Sequence, residues 1–340
     1  MSIRYEVLGP PGRDNALMVT VNSGHGLHRL LFDCGDGVFS TISIADLQLI
    51  EGLFFSHFHF DHIAGFDTFF RMNWGRTDAP VRIFGPSDTR EIVHHRLQGV
   101  TWNLVSEIPG EFRVTCLDGE RLITTGYKTC EGFRIERLIG SEDFDGVIYR
   151  TETFEVAAMP LPHGTVSMGY VVRELPRQNV DLSVLKELGL KPGAWLKAVK
   201  DEARPDAEII DTTIGPKSLG ELRSKLLVTH SGESIAYLTD FWLDSEETED
   251  RLLKMLAGCR VMVCENNYAD AELELARKNY HMTSSEVGRL AAKVQPEELI
   301  VFHVSDRYTP PELLAQLSEV QQHFPKATFP AAWMEAISQR

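Results

Sequence analysis

Long apolar runs, internal repeats and low-complexity tails are all missing from this sequence. Without a stretch of about 18 apolar residues, a membrane-spanning helix is not expected. The chain starts with charged residues such as Arg4 and Glu6, which argues against a secretory signal. The five cysteines are odd in number and form no Cys-x-x-Cys pair, so they predict reduced thiols in a cytoplasmic protein rather than a disulfide framework.

Positive charge is also scarce. The 34 Lys and Arg residues face 49 Asp and Glu residues, which gives a net charge of -15. This balance argues against broad affinity for nucleic acid, so a polyanionic substrate would have to be attracted locally, by metal ions or by a basic patch. A length of 340 residues, 43% of them hydrophobic, suffices for a large core in one big domain or two smaller ones.

Hydrophobic periodicity and turn residues predict strands first and then strands mixed with helices. This order indicates an α/β fold, with sheets covered by helices. Strands are predicted at 5–8, 16–21, 30–32, several times within 111–160, and at 225–229, 235–239, 261–265 and 298–304. Helices are predicted at 87–98, 246–256, 269–278, 284–294 and 311–322, and Thr283 and Glu286 match a capping box.

Residues 175–218 differ from the rest, because prolines and glycines interrupt them and only one short helix pattern occurs, at 182–188. We expect an excursion from a single domain that spans residues 1–340; a flexible linker is the alternative. An aromatic residue in a locally basic segment is typical of a contact surface for a polyanion. The segment has Trp195 among Lys186, Lys191, Lys197 and Lys200.

The segment His57-Phe58-His59-Phe60-Asp61-His62 places three imidazoles and a carboxylate within six residues. Side chains two residues apart in an extended stretch point the same way, so His57 and His59 can share one metal ion. Asp61 and His62 fall at the start of the next helix, turned toward a second position. Imidazole with carboxylate suits zinc and similar divalent ions. The alternative, a polar turn rich in histidine, has no structural need for this spacing.

Residues of the same kind recur where later apolar runs end. Loops at strand ends commonly present catalytic groups. Taken alone, a histidine such as His303 would be read as structural, but beside the opening cluster it becomes a candidate ligand. The candidates of this kind are His163, Asp240, Glu265 and His303.

Together these residues resemble the metallo-β-lactamase superfamily over nearly the whole chain. The resemblance implies an αβ/βα sandwich of two mixed sheets flanked by helices. Asp33 matches the aspartate that ends an early strand in that superfamily. The resemblance also implies two divalent metal ions, zinc with manganese as the alternative: one bound by His57, His59 and His163, the other by Asp61, His62 and His303, and both bridged by Asp240.

Within the superfamily the chain looks most like the ribonuclease Z family, endonucleases that trim the 3′ end of precursor tRNA. Residues 185–193 resemble part of the family's protruding tRNA-binding arm. The other matches are His163-Gly164 with Gly169-Tyr170, His281-Met282-Thr283, and residues 303–308. The chain departs from the family at three places. It has Thr239-Asp240-Phe241 where the family has Gly-Asp-Thr, and Cys264-Glu265-Asn266-Asn267 where the family has His-Glu-Ala-Thr. The N-terminal loop reads Gly12-Arg13-Asp14-Asn15, whereas that of the family ends in Arg-Asn.

The family resemblance implies hydrolysis of a phosphodiester by a hydroxide that bridges the two metals. Asp61 orients the hydroxide, His281 donates a proton to the leaving oxygen, and Glu265 aligns His281. An ordinary, partly buried ion pair is the alternative for Glu265 and for Arg307. Phosphate contacts are expected from Ser305 and Arg307 and, in the arm, from Lys186, Lys191 and Lys197. A homodimer is also implied.

Two other functions remain open at this point. A hydrolase of the same fold could act on a smaller substrate, such as a cyclic nucleotide, an ester or a lactone. The acidic charge and the altered loops favour it, whereas the arm disfavours it. A non-catalytic RNA-binding protein that kept the fold is the third reading, and the complete ligand set argues against it.

Overall fold

The first half of the chain builds a mixed sheet of eight strands, which lie side by side in sequence order. The computed structural model describes residues 3–24 and 26–338. The strands are β1 (Ile3–Leu8), β2 (Ala16–Asn22), β3 (Leu27–Phe32), β4 (Ile50–Phe54), β5 (Val81–Gly85), β6 (Glu111–Asp118), β7 (Arg121–Lys128) and β8 (Arg137–Asp143). Strands β3 to β6 are parallel, and the strands that flank them pair antiparallel.

Four helices connect these strands, and the apolar side chains that follow the histidine motif are buried. Ile63, Phe66, Phe69 and Phe70 all lie in one core cluster with residues of β3, β4 and β5. The segment forms two short helices, because Gly65 docks against the backbone at Cys34, with its N–H donating to Cys34 O at 2.8 Å. The helices are α1 (Ile44–Gln48), α2 (Phe60–Ile63), α3 (Phe66–Asn73) and α4 (Thr89–Gln98).

After three more strands the chain enters a separate compact unit, residues 174–232, called the inserted unit below. Its core includes Leu185, Val199, Leu219 and Leu222. The expectation of only one short helix within 175–218 was wrong, and the predicted strand at 225–229 pairs inside this unit. The elements are β9 (Val147–Arg150), β10 (Phe154–Pro162), β11 (Val166–Glu174), β12 (Arg177–Val180), α5 (Leu182–Glu187), α6 (Trp195–Lys200), β13 (Ile209–Thr212), β14 (Gly215–Ser218), α7 (Leu219–Leu226) and β15 (Leu227–His230).

The last third of the chain completes a seven-stranded sheet in the order β19-β18-β17-β16-β11-β10-β9. Its elements are β16 (Ser234–Leu238), α8 (Glu246–Leu256), β17 (Val261–Glu265), α9 (Leu273–Lys278), α10 (Ser284–Val294), β18 (Glu298–Phe302), α11 (Pro310–His323), β19 (Ala327–Thr328) and α12 (Ala331–Ser338). Helices α8 and α10 match their predicted bounds, and the capping box at Thr283 is present. No helix among the described residues has the length and apolar character needed to cross a bilayer.

Aromatic side chains join the two sheets face to face. Phe32, Phe54 and Phe84 occupy matching register positions on β3, β4 and β5, and their neighbouring ring centroids stack at 5.0 and 4.5 Å. Tyr170 and Tyr237 of the second sheet contact Phe32 with centroids 5.4 and 5.6 Å away. The core therefore lies between two mixed sheets flanked by helices, which confirms the predicted αβ/βα sandwich.

Three strands end in residues with a left-handed backbone. Asp33 follows β3 at φ 57°, Asp240 lies just beyond β16 at φ 51°, and His303 follows β18 at φ 49°. This conformation is uncommon for residues other than glycine and tends to occur at functional sites. It explains why the strand predicted at 298–304 stops at Phe302: the chain turns sharply at His303.

Candidate metal centre

The histidine motif and one distant histidine form a first group of three imidazoles. His57 and His59 follow β4, and their ring centroids are 4.4 Å apart. His163 follows β10, and its centroid lies 5.1 Å from that of His57 and 5.2 Å from that of His59. One nitrogen from each ring lies within 4.8 Å of the other two. Three converging imidazole nitrogens at this separation can share one metal ion.

A second group combines the rest of the motif with the last strand. His59 is the N-cap of α2, so Asp61 and His62 fall in its first turn, as predicted. Asp61 Oδ2 lies 3.2 Å from His62 Nε2 and 3.3 Å from His303 Nε2. These three residues also bring one potential ligand atom each within 4.8 Å of the others. A second cation can therefore lie beside the first.

Asp240 stands between the two groups and turns one oxygen to each. Its Oδ1 lies 3.6 Å from His163 Nε2, in the first group. Its Oδ2 lies 3.0 Å from His62 Nε2 and 3.4 Å from His303 Nε2, in the second. A carboxylate in this position can bridge two cations. All seven predicted ligands thus come together, although they span residues 57 to 303 of the chain.

Hydrogen bonds at Nδ1 orient three of these imidazoles. His62 Nδ1 donates to Asp33 Oδ2 at 2.8 Å, and His163 Nδ1 donates to the Tyr280 carbonyl at 3.0 Å. Ser56 Oγ donates to Asp33, so it accepts from His57 Nδ1 at 3.0 Å. When Nδ1 carries the proton, Nε2 keeps its lone pair. The Nε2 lone pairs of these rings then face the cluster, which is the arrangement that metal-ligating histidines adopt.

The donor set fits metal ions by a further criterion, that of unsatisfied buried atoms. Within the described residues, Nε2 of His57 is buried and has no hydrogen-bond partner, whereas the buried Nε2 of His62 lies near carboxylate oxygens of Asp240 and Asp61, at 3.0 and 3.2 Å. Such orphans are rare, and each calls for a ligand. Burial, with help from the nearby His62, His163 and His59, lowers the pKa of His57 to about 2. His57 is therefore neutral at physiological pH and able to bind a cation.

The carboxylates of the centre carry more negative charge than a buried site tolerates alone. Burial by itself would raise the pKa of Asp240, but His303 and His62 hold it well below its ordinary value. The pKa of His62 is correspondingly raised, against the effect of its burial, by Asp240 and Asp33. Without cations, protons on the imidazoles supply the missing positive charge. Divalent metal ions supply the same charge with the ring lone pairs free to bind them.

Asp33 is a functional residue that the ligand pattern did not single out. Its side chain is fully buried and accepts four hydrogen bonds. The donors are Ser56 N at 2.7 Å, Ser56 Oγ at 2.6 Å, His62 Nδ1 at 2.8 Å and the Tyr237 hydroxyl at 2.8 Å. In the sequence, only its place after an apolar strand and its family resemblance marked it, because its partners are distant in the chain.

His281 and Glu265 form a buried pair beside the cluster. Glu265 Oε2 accepts from His281 Nδ1 at 2.5 Å, and Glu265 Oε1 accepts from the backbone N–H of Phe241 at 2.8 Å. His281 Nε2 lies 3.7 Å from Asp240 Oδ1. Burial favours the neutral ring, but Glu265 outweighs it and raises the pKa of His281 to about 9. Glu265 does not form the alternative, partly buried ion pair, since it is fully buried and bonds with His281.

The cluster opens into a pocket whose wall sequence reasoning missed. Beside the ligands, the lining includes Lys278, Asn279 and Tyr280, which immediately precede His281. Asn267 also lines it, and its Nδ2 lies 3.3 Å from His303 Nδ1. Asn267 is one of the departures from the family pattern, so the altered residue contacts a candidate ligand directly. No sequence signal marked residues 278–280, which carry no ligand-type side chain.

Ser305 and Arg307 lie together but outside this pocket lining. Ser305 lines another cleft, with the N-terminal loop at residues 10–13. Arg307 is exposed; its Nε donates to Ser305 Oγ at 2.9 Å and its guanidinium lies 4.3 Å from the Tyr268 ring centroid. The Tyr268 ring in turn lies 5.4 Å from that of His281. Arg307 is therefore one aromatic ring away from the buried pair.

The predicted basic residues of the arm all lie on the inserted unit and are exposed. The unit contains nine acidic and nine basic residues, so the chain's net charge of -15 resides in the remainder. Arg204, Lys217, Arg223 and Lys225 bond with acids of the same unit. Among the described residues no ion pair involves Lys186, Lys191, Lys197 or Lys200.

Curated proteins with similar sequences share one name. The chain is 39% identical over 328 residues to Ribonuclease Z of Deinococcus radiodurans, which covers 96% of this chain and 98% of that protein. It is 27% identical over 283 residues to Ribonuclease Z of Methanocaldococcus jannaschii, covering 82% of this chain and 77% of that one. No family model matches the chain.

Solved structures show a similar fold at low sequence identity. Human tRNase Z, short form, superposes with a TM-score of 0.54 at 15% identity, covering 90% of this chain and 94% of that one. The metallo-beta-lactamase fold protein YhfI from Bacillus subtilis gives a TM-score of 0.53 at 14% identity, covering 96% of this chain and 94% of that one. These likenesses establish the fold as a metallo-β-lactamase fold.

Proposed function

The chain belongs to the ribonuclease Z family, and from this premise we propose that it is a metal-dependent endoribonuclease that trims the 3′ end of precursor tRNA. The observation that carries the proposal is the position of Asp240, which turns one carboxylate oxygen to each of two three-residue ligand groups. The full-length similarity to Ribonuclease Z supports RNA as the substrate.

Two divalent cations are part of the proposal, with zinc as the metal and manganese as the alternative. His57, His59 and His163 would hold one, Asp61, His62 and His303 the other, and Asp240 both. When bound, such cations acidify water so that it attacks at neutral pH, and they offset the charge on the phosphate. The orphaned Nε2 atom of His57 supports this assignment.

Three side chains are proposed to act on the reacting groups. Asp61 is 44% exposed, so one carboxylate can both bind metal and orient the attacking water. His281 presents Nε2 toward the cluster, where its proton can pass to the leaving 3′ oxygen. Glu265 holds His281 Nδ1 and, by its charge, keeps that ring protonated for the transfer.

The inserted unit is proposed as the tRNA-binding arm. Its exposed Lys186, Lys191, Lys197 and Lys200 can contact phosphates without competition from ion pairs, while the rest of the chain carries all the net negative charge. Ser305 and Arg307, in the larger unit, are also proposed to contact phosphate. A polyanion is then attracted at two places and repelled elsewhere, which favours a defined orientation.

We also propose that the protein is a homodimer, as the family resemblance implies, and that it acts in the cytoplasm, as its cysteine pattern indicates. Sedimentation equilibrium measures the first. The five cysteines are compatible with a reducing compartment, since all of them are free thiols in the structure.

Cleavage of a labelled precursor tRNA tests the proposed function. With zinc or manganese we expect a single cut at the 3′ side of the mature tRNA, at a rate well above that on an unstructured RNA of equal length. Bis-p-nitrophenyl phosphate serves as the generic diester in parallel. Hydrolysis of that diester or of cyclic nucleotides without any cut in precursor tRNA would replace the proposal with a small-substrate hydrolase.

Metal content tests the dinuclear centre. Protein purified without chelator should contain about two equivalents of transition metal. Asp33→Asn should weaken metal binding roughly 10- to 100-fold, because an amide N–H₂ would face donors that now bond to a carboxylate and His62 would lose its orientation. Elemental analysis with chelator competition measures both. The control is Tyr237→Phe, which removes one neutral donor and keeps the carboxylate. A wild-type protein that holds one equivalent of metal or less, even after metal soaking, would contradict the assignment.

His281→Ala should lower kcat on precursor tRNA on the order of 10²–10⁴-fold with metal content unchanged. The loss should be much smaller on bis-p-nitrophenyl phosphate, because nitrophenolate leaves without a proton. The matched control is His28→Ala, since His28 also bonds to a glutamate, Glu51, at 3.0 Å but stands apart from the centre. Loss of metal together with activity would identify His281 as a ligand instead.

Replacing Lys186, Lys191, Lys197 and Lys200 by glutamine should weaken precursor tRNA binding and spare hydrolysis of bis-p-nitrophenyl phosphate. For each lysine that pairs with a phosphate, its removal should flatten the slope of log affinity against log salt by roughly one unit. Lys217→Gln with Lys225→Gln is the control, because both lysines pair with Glu221 in the same unit. Equal tRNA affinity of the wild type and the fourfold variant at low salt would show that the inserted unit does not bind tRNA through these lysines.

A further inference from the structure

Aromatic residues in this chain are almost all hidden from solvent, with two exceptions. Of 18 phenylalanines, 8 tyrosines and 5 tryptophans, all within the described residues, Phe60 is 82% exposed and Tyr280 is 42% exposed. Every other aromatic side chain is buried or half-buried. The two exceptions therefore stand out in a fold that otherwise uses its aromatic rings for the core.

Tyr280 lines the pocket at the candidate metal centre, and Phe60 adjoins that pocket through its neighbours in the chain. Phe60 lies between His59 and Asp61, two residues that line the pocket. It begins α2, whose following residues His62 and Ile63 are buried, so the first turn sends Phe60 outward while its neighbours turn inward. Phe60 has no aromatic ring partner among the described residues. An outward phenylalanine at this point contributes nothing to the apolar core.

Tyr280 is held in place by its backbone and by its neighbours. Its φ of 60° is uncommon for a bulky residue, and its carbonyl accepts the His163 hydrogen bond. Its ring lies against Gly164, where an added Cβ would come within 2.8 Å of a ring carbon. The strained backbone thus serves two purposes: it orients a candidate ligand, and it fixes a ring on the pocket wall.

A layer of rings and charge backs Tyr280. Its ring centroid lies 6.1 Å from that of Trp242, and the Arg277 guanidinium lies 5.5 Å from the Trp242 centroid. Lys278 and Asn279 border Tyr280 in the pocket lining and supply polar contacts. A fixed aromatic face beside cationic and amide groups is the arrangement that binds single-stranded nucleic acid, in which bases stack and phosphates pair with charge.

We propose that Phe60 and Tyr280 are stacking platforms for unpaired nucleobases that flank the scissile phosphate. The inference rests on the proposed ribonuclease function and adds a specificity element to it. A base stacked on each ring would hold the single-stranded 3′ segment across the pocket, with the phosphate over the metal centre. Stacking tolerates any base, so these residues would select single-stranded over paired RNA rather than a particular sequence.

Precursor tRNAs with one abasic nucleotide, on either side of the cleavage site, test the proposal. Tyr280→Leu and Phe60→Leu should each lower kcat/KM on intact RNA by roughly 5- to 100-fold, the effect of removing one base–ring stack. On the RNA that lacks the stacked base, the kcat/KM of the wild type should fall as much as that of the variant does on intact RNA. The variant of the ring that stacks on that base should show no further fall in kcat/KM on the abasic RNA. Tyr280→Phe and Phe60→Trp should restore most of the activity.

Three controls separate stacking from other effects. Leu138→Ala removes an exposed apolar side chain from edge strand β8, four strands from β4, and should change nothing. Metal content should match the wild type in every variant, and so should the sedimentation coefficient. A changed sedimentation coefficient in Phe60→Leu would overturn the assignment of Phe60, because its ring would then lie between two copies of the chain.

The outcomes distinguish this inference from the function on which it rests. A wild-type protein that leaves all precursor tRNA uncut would overturn the proposed function and the stacking together. A wild type that cuts intact and abasic RNA equally well would overturn the stacking alone. The stacking would also be overturned if the variant and the abasic site each lowered kcat/KM and their two fold-changes multiplied when combined. Multiplication would mean that the ring and the base act independently and do not contact each other.

Discussion

The candidate metal centre depends on one buried carboxylate. Asp33 accepts two hydrogen bonds from Ser56, one from His62 and one from Tyr237. Ser56 in turn fixes His57, so ligands of both groups are oriented from the same point. Tyr237 belongs to the other sheet, which ties the register between the sheets to the geometry of the site. A buried charge is tolerated when it is well hydrogen-bonded, and here one donor reaches Oδ1 and three reach Oδ2.

The strength of the local signal separates what the sequence predicted from what it did not. The ligands His57 to His62 are adjacent, and α8 and α10 have clear periodicity and caps, so local patterns sufficed. The bond between Asp33 and Tyr237 joins residues 204 apart, and no local pattern announces such a partner. Tyr280 went unnoticed for a related reason: its carbonyl orients His163, and a carbonyl is common to every residue type. Helix α6 was missed because Pro192 and Gly193 just before it read as a break.

Chemistry and charge are distributed unevenly along the chain. The larger unit carries the metal centre and all the net negative charge, while the inserted unit is neutral overall, with exposed lysines. Two of the departures from the family pattern lie at the centre: the backbone N–H of Phe241 donates to Glu265, and Asn267 contacts His303. The ligands themselves are unchanged. These two departures therefore lie at residues that contact the candidate ligand His303 and the Glu265 partner of His281, and not at the candidate ligands.

The ligands come from both sheets of the sandwich: His57, His59, Asp61 and His62 follow β4, whereas Asp240 and His303 follow β16 and β18. A cation held by both sets would act as a cross-link between the layers. Such a cross-link exists only in the folded chain, so mass action makes it stabilise folding in proportion to the logarithm of the free metal concentration. The melting temperature of this protein would then report on the metal supply of its surroundings.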